Sequence, residues 1–426
     1  MPLHASHGLL ALSLSTMLAC VSTTPSPNND APTNPAGPAL VSIEESDEPT
    51  YADWVALADR IKEVGRLVDD ERVPNHAIDR AEGYRYLLAM IAEGIFEALY
   101  GSDLEDPQFR YHITKFSGEA MPSSDARYQR IEVDGGGTYR IWGRLGNATH
   151  ITLQAYSGVG ARETFDLTNA TDASGNLSIT VGGAPRDGNW EAMSADSELI
   201  QLREYFTDWE NAERSHLFVE RLDTKAPRGL PTDPADIAGA LKRAVLPLHT
   251  RVLYWKQRMD TIRAAHDNSL SPARMMGDVG LGGLYYGEGW FDLAADEALV
   301  IEFEAPEASH WSYQLGNYWS QTIDWANFTS STNGAQARPS IDGKYRLVVA
   351  HADPGVPNWL DTAGHPEGML LYRYHDPVSR PVPTARLVKL ADLRDHLPAD
   401  TPSVTPEERA AEIDMRRAHK RLRWRP

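Results

Sequence analysis

Two stretches of this chain, 168 to 170 residues apart, contain the same residues in the same order. Each stretch has a glycine turn, then an Asn-Trp pair, then an arginine. The matching positions are Gly175 with Gly343, Asn189 with Asn358, and Arg203 with Arg373. Repetition at a long and nearly constant spacing indicates that one structural unit has been built twice.

Apolar residues alternate with polar residues around both copies of this motif. The alternation covers residues 139–145, 151–155, 177–181, 299–303, 311–315 and 345–349. A period of two is typical of a strand with one buried face. The sequence therefore predicts two antiparallel β-sandwich or jelly-roll units, at 127–224 and 277–392.

The remaining long segments have helical periodicity, with apolar residues three or four positions apart. We expect helices on both sides of Pro74 and a break near Pro247. The second helix should bury the face formed by Ala81, Tyr84, Leu88, Ile91, Ile95 and Leu99. The predicted fold class is α+β, with an N-terminal helical segment at 51–118 and a helical connector at 233–270.

The chain ends in a predicted basic helix at 405–426. Thr405 and Glu408 form a capping box, and the helix finishes with the sequence RRAHKRLRWRP. We expect a solvated surface helix, because its charged residues are so many. The alternative is contact with an anionic surface such as lipid headgroups, which Trp424 among arginines would suit.

The N-terminus resembles a bacterial lipoprotein leader. An apolar run of about a dozen residues, too short to span a bilayer, precedes Met17-Leu18-Ala19-Cys20. This resemblance implies a signal peptide at 1–20, a lipid anchor at Cys20, a flexible linker at 21–50, and a location on the periplasmic face of the outer membrane. The alternative is an ordinary signal peptide with an incidental cysteine.

Composition excludes several classes of function. The net charge of -19 would repel a phosphate backbone, so we expect no nucleic-acid partner. The single cysteine, Cys20, excludes an internal disulfide and a cysteine-based zinc site. We expect no cofactor, because the sequence has no phosphate loop and no dinucleotide fingerprint.

The second β unit resembles the family called domain of unknown function 1214 over residues 285 to 390. The resembling stretches are 292–302, 318–320, 342–343, 357–361, Gly364 and Arg373. The resemblance implies a β-sandwich that is often attached to a second uncharacterised domain. It implies no activity.

Seven residues of the second unit are candidates for ligand binding: Trp319, Asp324, Asn358, Trp359, Asp361, His365 and Arg373. In one interpretation Asn358 holds a turn and Trp359 closes the end of a sandwich, which are fold roles. In the other, an aromatic ring stacks on a sugar or apolar ring while Arg373 binds an acid group. Trp319 and Asp324 also lie among amides, as in carbohydrate-binding surfaces. We expect a cell-envelope protein that binds a small molecule or carbohydrate through its two β units.

The alternative function is an envelope hydrolase or lyase, with Asp324, Asp361 and His365 as acid-base groups. Three histidine and carboxylate pairs could also support a metal or acid-base site: His351 with Asp353, His365 with Glu367, and His375 with Asp376. No His-x-His sequence occurs in the chain, so we expect no metal. No serine-nucleophile elbow or His-Glu-x-x-His motif is present either.

Overall fold

The computed structural model describes residues 48–101, 103–111, 113, 120–158, 160–167, 169–224, 233–244, 246–275 and 283–424. The predicted leader with Cys20, and the linker up to residue 47, lie outside these residues. Within the described residues, no helix is both long and apolar enough to cross a membrane.

Five α-helices belong to the described residues. They are α1 (Tyr51–Gly65), α2 (Ala77–Tyr100), α3 (Pro234–Arg243), α4 (Leu246–Ala265) and α5 (Pro406–Trp424). Two short 3₁₀ helices are also present in the described residues. Arg66–Asp69 comes directly after α1, and Leu390–His396 precedes α5. The predicted breaks are confirmed, because Pro74 lies between α1 and α2 and Pro247 lies at the start of α4.

Nine strands of the first β unit lie within the described residues. They are β1 (Arg110–Tyr111), β2 (Ala126–Glu132), β3 (Thr138–Arg144), β4 (His150–Ser157), β5 (Gly160–Thr164), β6 (Asn176–Gly182), β7 (Trp190–Glu191), β8 (Leu199–Tyr205) and β9 (His216–Arg221). Sheet 1A has the order β1-β2-β8-β4-β5, and sheet 1B has the order β7-β6-β3-β9.

The described part of the second β unit contains ten strands. They are β10 (Ser269–Leu270), β11 (Arg274–Met275), β12 (Leu284–Asp292), β13 (Glu297–Phe303), β14 (His310–Gly316), β15 (Ser331–Asn333), β16 (Tyr345–Ala350), β17 (Trp359–Asp361), β18 (Glu367–His375) and β19 (Thr384–Lys389). Sheet 2A has the order β10-β12-β18-β14-β15, with β11 also paired to β12, and sheet 2B has the order β17-β16-β13-β19.

The two units share one topology. The order β2-β8-β4-β5 in sheet 1A matches β12-β18-β14-β15 in sheet 2A, and β7-β6-β3-β9 in sheet 1B matches β17-β16-β13-β19 in sheet 2B. The short pairings β6–β7 and β16–β17 are parallel, and the other matched pairings are antiparallel. The sheet orders therefore agree with the repeat that the sequence predicts.

Each unit has its own apolar core, to which both of its sheets contribute. In the first unit Ile131 and Leu153 of sheet 1A belong to the same cluster as Ile141 of sheet 1B. In the second unit Leu370 of sheet 2A belongs to the same cluster as Leu347 of sheet 2B. Helices α1 to α4 form a further cluster with residues of sheet 2A. The helices thus pack on the second unit.

Helix α2 buries a different face from the one that its periodicity predicted. Tyr84, Leu88, Ile95 and Leu99 are exposed, whereas the buried residues are Asp79, Gly83, Tyr86, Leu87, Met90, Glu93, Gly94 and Ala98. The helix is apolar on two sides, and periodicity alone does not say which side packs on the protein.

Helix α5 also differs from the prediction. The sequence predicted a solvated surface helix, but one face of this helix is buried. Its capping box is confirmed, since the Thr405 N–H donates to Glu408 Oε2 at 2.8 Å and the Glu408 N–H donates to Thr405 Oγ1 at 3.2 Å. However, its buried face is basic and consists of Arg409, Arg416, His419 and Arg423. Because these residues are seven, three and four positions apart, they lie on one side of the helix.

The buried arginines of α5 contact aromatic rings and backbone carbonyls. The Arg423 Cζ lies 4.5 Å from the ring centroid of Trp325, and burial lowers the pKa of Arg423 to about 9. The Arg416 Nη2 donates to the Ser331 carbonyl at 2.6 Å. Cation–π contacts and carbonyl acceptors offset the burial of these charges.

Candidate functional site

The asparagine of the repeated motif has the same bonding in both units. The Asn189 Nδ2 donates to the Ser178 carbonyl at 3.1 Å, and the Asn358 Nδ2 donates to the Arg346 carbonyl at 3.0 Å. Asn358 also adopts a φ of +58°, which asparagine tolerates better than most residues. These bonds hold the loop to the preceding strand, which is the fold role of the motif.

The tryptophan of the motif also bonds alike in both units. The Trp190 Nε1 donates to the Gly182 carbonyl at 2.9 Å, and the Trp359 Nε1 donates to the Ala350 carbonyl at 3.0 Å. Trp359 is 9% exposed, and the Arg409 Cζ lies 5.1 Å from its ring centroid. The ring is therefore covered by α5 and offers no open surface to a ligand.

Trp319 packs against helix α2. Its Nε1 donates to the Asp79 carbonyl at 2.7 Å, and a Cβ atom at Gly83 would lie only 2.6 Å from its ring. The side chain is 2% exposed. The carbohydrate-binding surface that the sequence suggested at this residue is not formed.

His365 joins the second unit to the same helix. Its Nε2–H donates to Glu82 at 2.8 Å, and its Nδ1–H donates to the Thr362 carbonyl at 2.8 Å. Burial alone would lower the pKa of His365, but the hydrogen bond and the charge of Glu82 raise it above its usual value. Asn317 donates to the same Glu82 oxygen at 2.6 Å.

Asp79, next to this pair, was not singled out from the sequence. It is 1% exposed, and neither of its carboxylate oxygens has a hydrogen-bond partner among the residues that the structure describes. Burial raises the pKa of Asp79 to about 6, although His365 and His76 oppose the rise. Asp79 lies in an unremarkable stretch of helix, so only the packing of α2 on the second unit reveals it.

The other candidate acids have local roles. Asp324 is exposed and accepts hydrogen bonds from Ala326 and Asn327 within its own turn. Asp361 is half-buried and accepts the Ala363 N–H at 2.8 Å, and burial raises its pKa. Asp361, His365 and Arg373 are thus bonded to different partners and do not form one acid-base group.

The predicted histidine and carboxylate pairs are likewise separate. His351 bonds Thr362 and the Leu293 carbonyl, while Asp353 bonds Arg409 at 3.0 Å. Glu367 accepts the Trp290 Nε1–H at 3.1 Å. In the part of the chain that the structure describes, no group of three histidine, cysteine or acidic side chains could hold a metal.

Arg203 and Arg373, the arginines of the repeated motif, occupy equivalent positions in the two units. On the central strand of sheet 1A, Arg203 is flanked by Tyr128 of β2 and Thr152 of β4. On the central strand of sheet 2A, Arg373 is flanked by Tyr286 and Ser312, of β12 and β14. The matched registers place the two arginines at the same point of each sheet.

These parts of the two sheets contact each other. Tyr128 and Tyr205 of the first unit share an apolar cluster with Leu284 of the second, against which Tyr286 packs. The ring centroids of Tyr205 and His375 are 4.3 Å apart. Burial raises the pKa of Tyr205 well above its usual value, and both Arg203 and Arg373 oppose the rise. Both guanidinium groups therefore lie near the interface between the units.

Neither guanidinium has a carboxylate partner among the described residues. Arg373 donates to Gln314 Oε1 at 2.7 Å and to the Met121 carbonyl, and its Cζ lies 5.4 Å from the Tyr286 ring centroid. The Arg203 Cζ lies 5.6 Å from the Tyr156 ring centroid. Burial lowers the pKa of Arg203, but the neighbouring tyrosines raise it above its usual value.

Several polar atoms around these arginines have no hydrogen-bond partner in the described part of the chain. They are the Nε atoms of Arg203 and Arg373, and the hydroxyl oxygens of Thr152 and Ser312. Arg203, Thr152 and Tyr286 are half-buried as whole residues, whereas the unpaired atoms of Arg203 and Thr152 are themselves buried. Among the described residues, the same donors are therefore unpaired at equivalent positions of both sheets.

Three histidines lie at one edge of this interface. The ring of His375 is 4.9 Å from that of His150 and 5.0 Å from that of His310, measured between centroids. Burial lowers the pKa of His375 well below its usual range, and the two neighbouring histidines lower it further. His375 is therefore neutral at physiological pH and adds no positive charge to the site.

We name Arg203, Arg373, Thr152, Ser312 and Tyr286 the arginine site. Sequence reasoning selected Arg373 as a ligand-binding residue and Arg203 as its counterpart. It did not select the other three, because a single threonine, serine or tyrosine in a strand gives no signal. Only the strand pairing places these three residues beside the two arginines.

Comparison with known proteins identifies a relative of the same fold. The crystal structure of an uncharacterised protein from Burkholderia cenocepacia is 30% identical, covers 80% of this chain and 97% of its own, and superposes with a TM-score of 0.74. This chain belongs to the same family as that protein. The crystal structure of a protein from Vibrio parahaemolyticus is 11% identical and covers 70% of this chain and 100% of its own. Its TM-score of 0.41 is too low to support a conclusion about this chain. No protein-family model matches the chain, and neither does any curated protein sequence.

Proposed function

We propose that this protein binds a small anionic molecule at the arginine site, between its two β units. The observation that supports this function is the pair of guanidinium groups at equivalent positions without a carboxylate partner among the described residues. A buried charge without a partner is costly, and an anionic ligand would remove that cost. Arginine also matches carboxylate and phosphate groups in geometry.

The surroundings of the site indicate what else the ligand carries. The half-buried ring of Tyr286 lies beside the guanidinium of Arg373, so an apolar or ring-shaped part of the ligand would pack beside the acid group. The hydroxyls of Thr152 and Ser312 could bond further polar groups of the ligand. An aromatic acid or a sugar acid has this combination of features, whereas a neutral sugar does not.

We further propose that each unit is a β-sandwich of the jelly-roll kind and that the second unit is related to the domain of unknown function 1214 family. The shared core between the two sheets of each unit supports the first proposal. The motifs at 292–302 and 357–361 support the second.

We also propose that the protein is a bacterial outer-membrane lipoprotein that faces the periplasm, with its lipid on Cys20. The leader sequence at 1–20 supports this location. In cells, Cys20→Ser should move the protein from the membrane fraction to the soluble fraction. Retention of the variant in the membrane would contradict the lipid anchor.

The second candidate function, an envelope hydrolase or lyase, rests on one observation. Asp79 is a buried carboxyl group with a pKa of about 6, next to the Glu82–His365 pair. Such a group can donate or accept a proton near neutral pH. In this function Asp79 and His365 would be the acid-base groups, and Asp324 and Asp361 would not.

Thermal unfolding with matched acids and neutral compounds tests the binding function. The acids are benzoate, glucuronate and inorganic phosphate, and the neutral controls are benzamide and glucose. A ligand at about 100 times its Kd stabilises the folded state by about 2.7 kcal/mol, which raises Tm by several degrees. We expect at least one acid to raise Tm and both neutral controls to leave it unchanged.

Two variants assign the effect to the site. Arg203→Met should remove the shift in Tm, whereas Arg140→Met, which changes an exposed arginine of the same unit, should keep it. If no acid raises Tm, or if Arg203→Met responds like the unchanged protein, the arginine site is not the binding site.

A further inference from the structure

The two β units meet about an approximate two-fold axis. In the matched registers, Tyr205 of β8 is the counterpart of His375 of β18, and His150 of β4 is the counterpart of His310 of β14. The ring centroids of Tyr205 and His375 are 4.3 Å apart. The ring of His150 lies 4.9 Å from that of His375, and the ring of His310 lies 5.9 Å from that of Tyr205. Counterparts that exchange contacts in this way define a two-fold interface.

The same axis relates the two arginines of the arginine site. Arg203 precedes Tyr205 by two residues, and Arg373 precedes His375 by two residues. Residues two apart on a strand lie on the same face of the sheet, so both arginines belong to the faces that meet at the axis. A ligand that spans the axis would therefore have one guanidinium group on each side.

The positive charges of these arginines are not balanced by nearby carboxylates. Glu204 follows Arg203 in β8 but pairs with Arg127, and Glu288 of β12 pairs with Arg258. Burial lowers the pKa of His375, so this ring is neutral and does not change the charge of the site. Among the described residues, two positive charges thus lack a carboxylate partner, and a ligand with two negative charges would balance them.

The two guanidinium groups are held on different sheets. The Arg203 Cζ lies 5.6 Å from the ring centroid of Tyr156 in the first unit, and the Arg373 Cζ lies 5.4 Å from that of Tyr286 in the second. Arg373 is also fixed on its own sheet by its bond to Gln314 at 2.7 Å. Two separate acid groups, one for each guanidinium, therefore fit the site better than one phosphate group shared by both.

The part of the ligand between its acid groups would lie next to Tyr286. Burial raises the pKa of Tyr286, and the charges of both Arg373 and Arg203 oppose the rise. This phenol is thus near both guanidinium groups, and its ring is half-buried. A flat ring in the ligand could stack on it or meet its edge, as aromatic pairs do.

We propose that the ligand of the arginine site is an aromatic dicarboxylate, with one carboxylate on Arg203, the other on Arg373 and its ring beside Tyr286. This inference rests on the proposed function, to which it adds a second acid group. Each carboxylate would accept charge-assisted hydrogen bonds from one guanidinium, which presents its donors in a planar fork.

Isothermal titration calorimetry with matched ligands tests the second acid group. The full-length chain would carry Cys20→Ser, so that no lipid is attached. The diacids are terephthalate and isophthalate, and their controls are 4-carbamoylbenzoate and 3-carbamoylbenzoate, in which an amide of the same shape replaces one carboxylate. We expect at least one diacid to have a Kd roughly tenfold or more below that of its control, because a guanidinium bonds a carboxylate more strongly than a neutral amide.

A variant assigns this difference to the two arginines. Arg203→Met should raise the Kd of the diacid by roughly tenfold or more and remove most of the difference between diacid and control, because one arginine remains. Arg140→Met, at an exposed position of the first unit, should keep the difference. Circular dichroism of both variants checks that they are folded, and the comparison of ligands on the parent chain does not depend on either variant.

The outcomes separate this inference from the proposed function. If diacids and controls bind the parent chain equally, one acid group suffices, so the dicarboxylate is wrong and the anion-binding function stands. The same conclusion follows if benzoate raises Tm but neither diacid binds. A difference that persists unchanged in Arg203→Met also overturns the inference. If no acid binds in either experiment, the inference and the proposed function both fail.

Discussion

The two β units have the same strand order but different surroundings. In both, the Asn-Trp pair bonds the carbonyls of the preceding strand, at 2.9 to 3.1 Å. In the second unit the tryptophan is covered by Arg409 of α5, and sheet 2A shares an apolar cluster with helices α1 to α4. Sheet 1A of the first unit is joined to α2 by ion pairs, Arg110 with Glu93 and Arg130 with Glu97. The hydrogen bonds of the Asn-Trp pair are therefore the shared feature, and they maintain the fold of each unit. The packing of helices on each unit is the feature that differs.

The arginines of the repeat differ in a more informative way. Arg373 donates to Gln314 and to the Met121 carbonyl through its two Nη atoms, although its Nε has no hydrogen bond among the described residues. Arg203 has tyrosine neighbours and no acidic partner among the described residues. We infer that Arg373 has a structural role as well as a ligand-binding role. Arg203, in contrast, has mainly a ligand-binding role.

The tryptophans give the largest expected contrast in stability. Trp359→Ala should lower the free energy of unfolding by about 3 to 5 kcal/mol, because it empties a buried site and removes the contact with Arg409. Trp190→Ala should cost only about 1 kcal/mol, because that side chain is half-buried. Urea denaturation measures both. Equal losses would show that the covering of the second unit adds no stability.

The arginines should respond in opposite directions. Arg373→Met should lower the free energy of unfolding by about 3 kcal/mol, because two acceptors lose a charged donor. Arg203→Met should raise it by about 1 kcal/mol, because a charge without an acidic partner leaves the interior. Urea denaturation without added ligand provides the measurement. Destabilisation by Arg203→Met would mean that this arginine has a structural partner.

Asp79, which α2 buries against the second unit, should make the free energy of unfolding depend on pH. Its pKa is about 6 in the folded protein and near 3.8 in an unfolded chain. Between these values the folded state keeps a proton that the unfolded state loses, so stability falls as pH rises, by about 2 to 3 kcal/mol in all. Asp79→Asn should remove this fall. Denaturation curves at pH 4 and pH 7 test it, and an unchanged difference between the two pH values would contradict the assignment.

The smallest expected contrast concerns arginines that lie over tryptophans. Arg409→Ala should cost about 2 kcal/mol, because Asp353 and the Val356 carbonyl lose their buried partner. Arg140 lies 5.1 Å from the Trp142 ring in the first unit but is exposed, so Arg140→Ala should cost less than about 0.5 kcal/mol. Thermal unfolding of both variants provides the comparison, and equal costs would contradict the role given to α5.

The strands and the fold role of the motif could be predicted from the sequence, because both are local. Alternation at 139–145 and 345–349 identifies strands without knowledge of their partners. The Asn-Trp pair occurs twice in different surroundings, and this repetition favours a fold role. The bonds of Asn189 and Asn358 to equivalent carbonyls confirm that role.

The buried faces of the helices and most of the site could not be predicted, because they depend on distant parts of the chain. Helix α2 is apolar on two sides, and its inner side is selected by sheet 2A. Glu82 meets His365 across 283 residues of sequence. Helix α5 looks like a solvated helix because its arginines are charged, yet tryptophans and carbonyls of the β units accept them. The local sequence pattern of a helix does not predict acceptors that lie elsewhere in the chain.

A crystal structure of the protein grown with 4-bromobenzoate tests the central claim most directly, because bromine is located by its anomalous scattering. We predict a bound molecule between sheets 1A and 2A, with its carboxylate on Arg203 and its ring beside Tyr286. Crystals of Arg203→Met should lack it. An interface that contains no bromine, or an acidic side chain of this chain bound to Arg203 in that structure, would contradict the account.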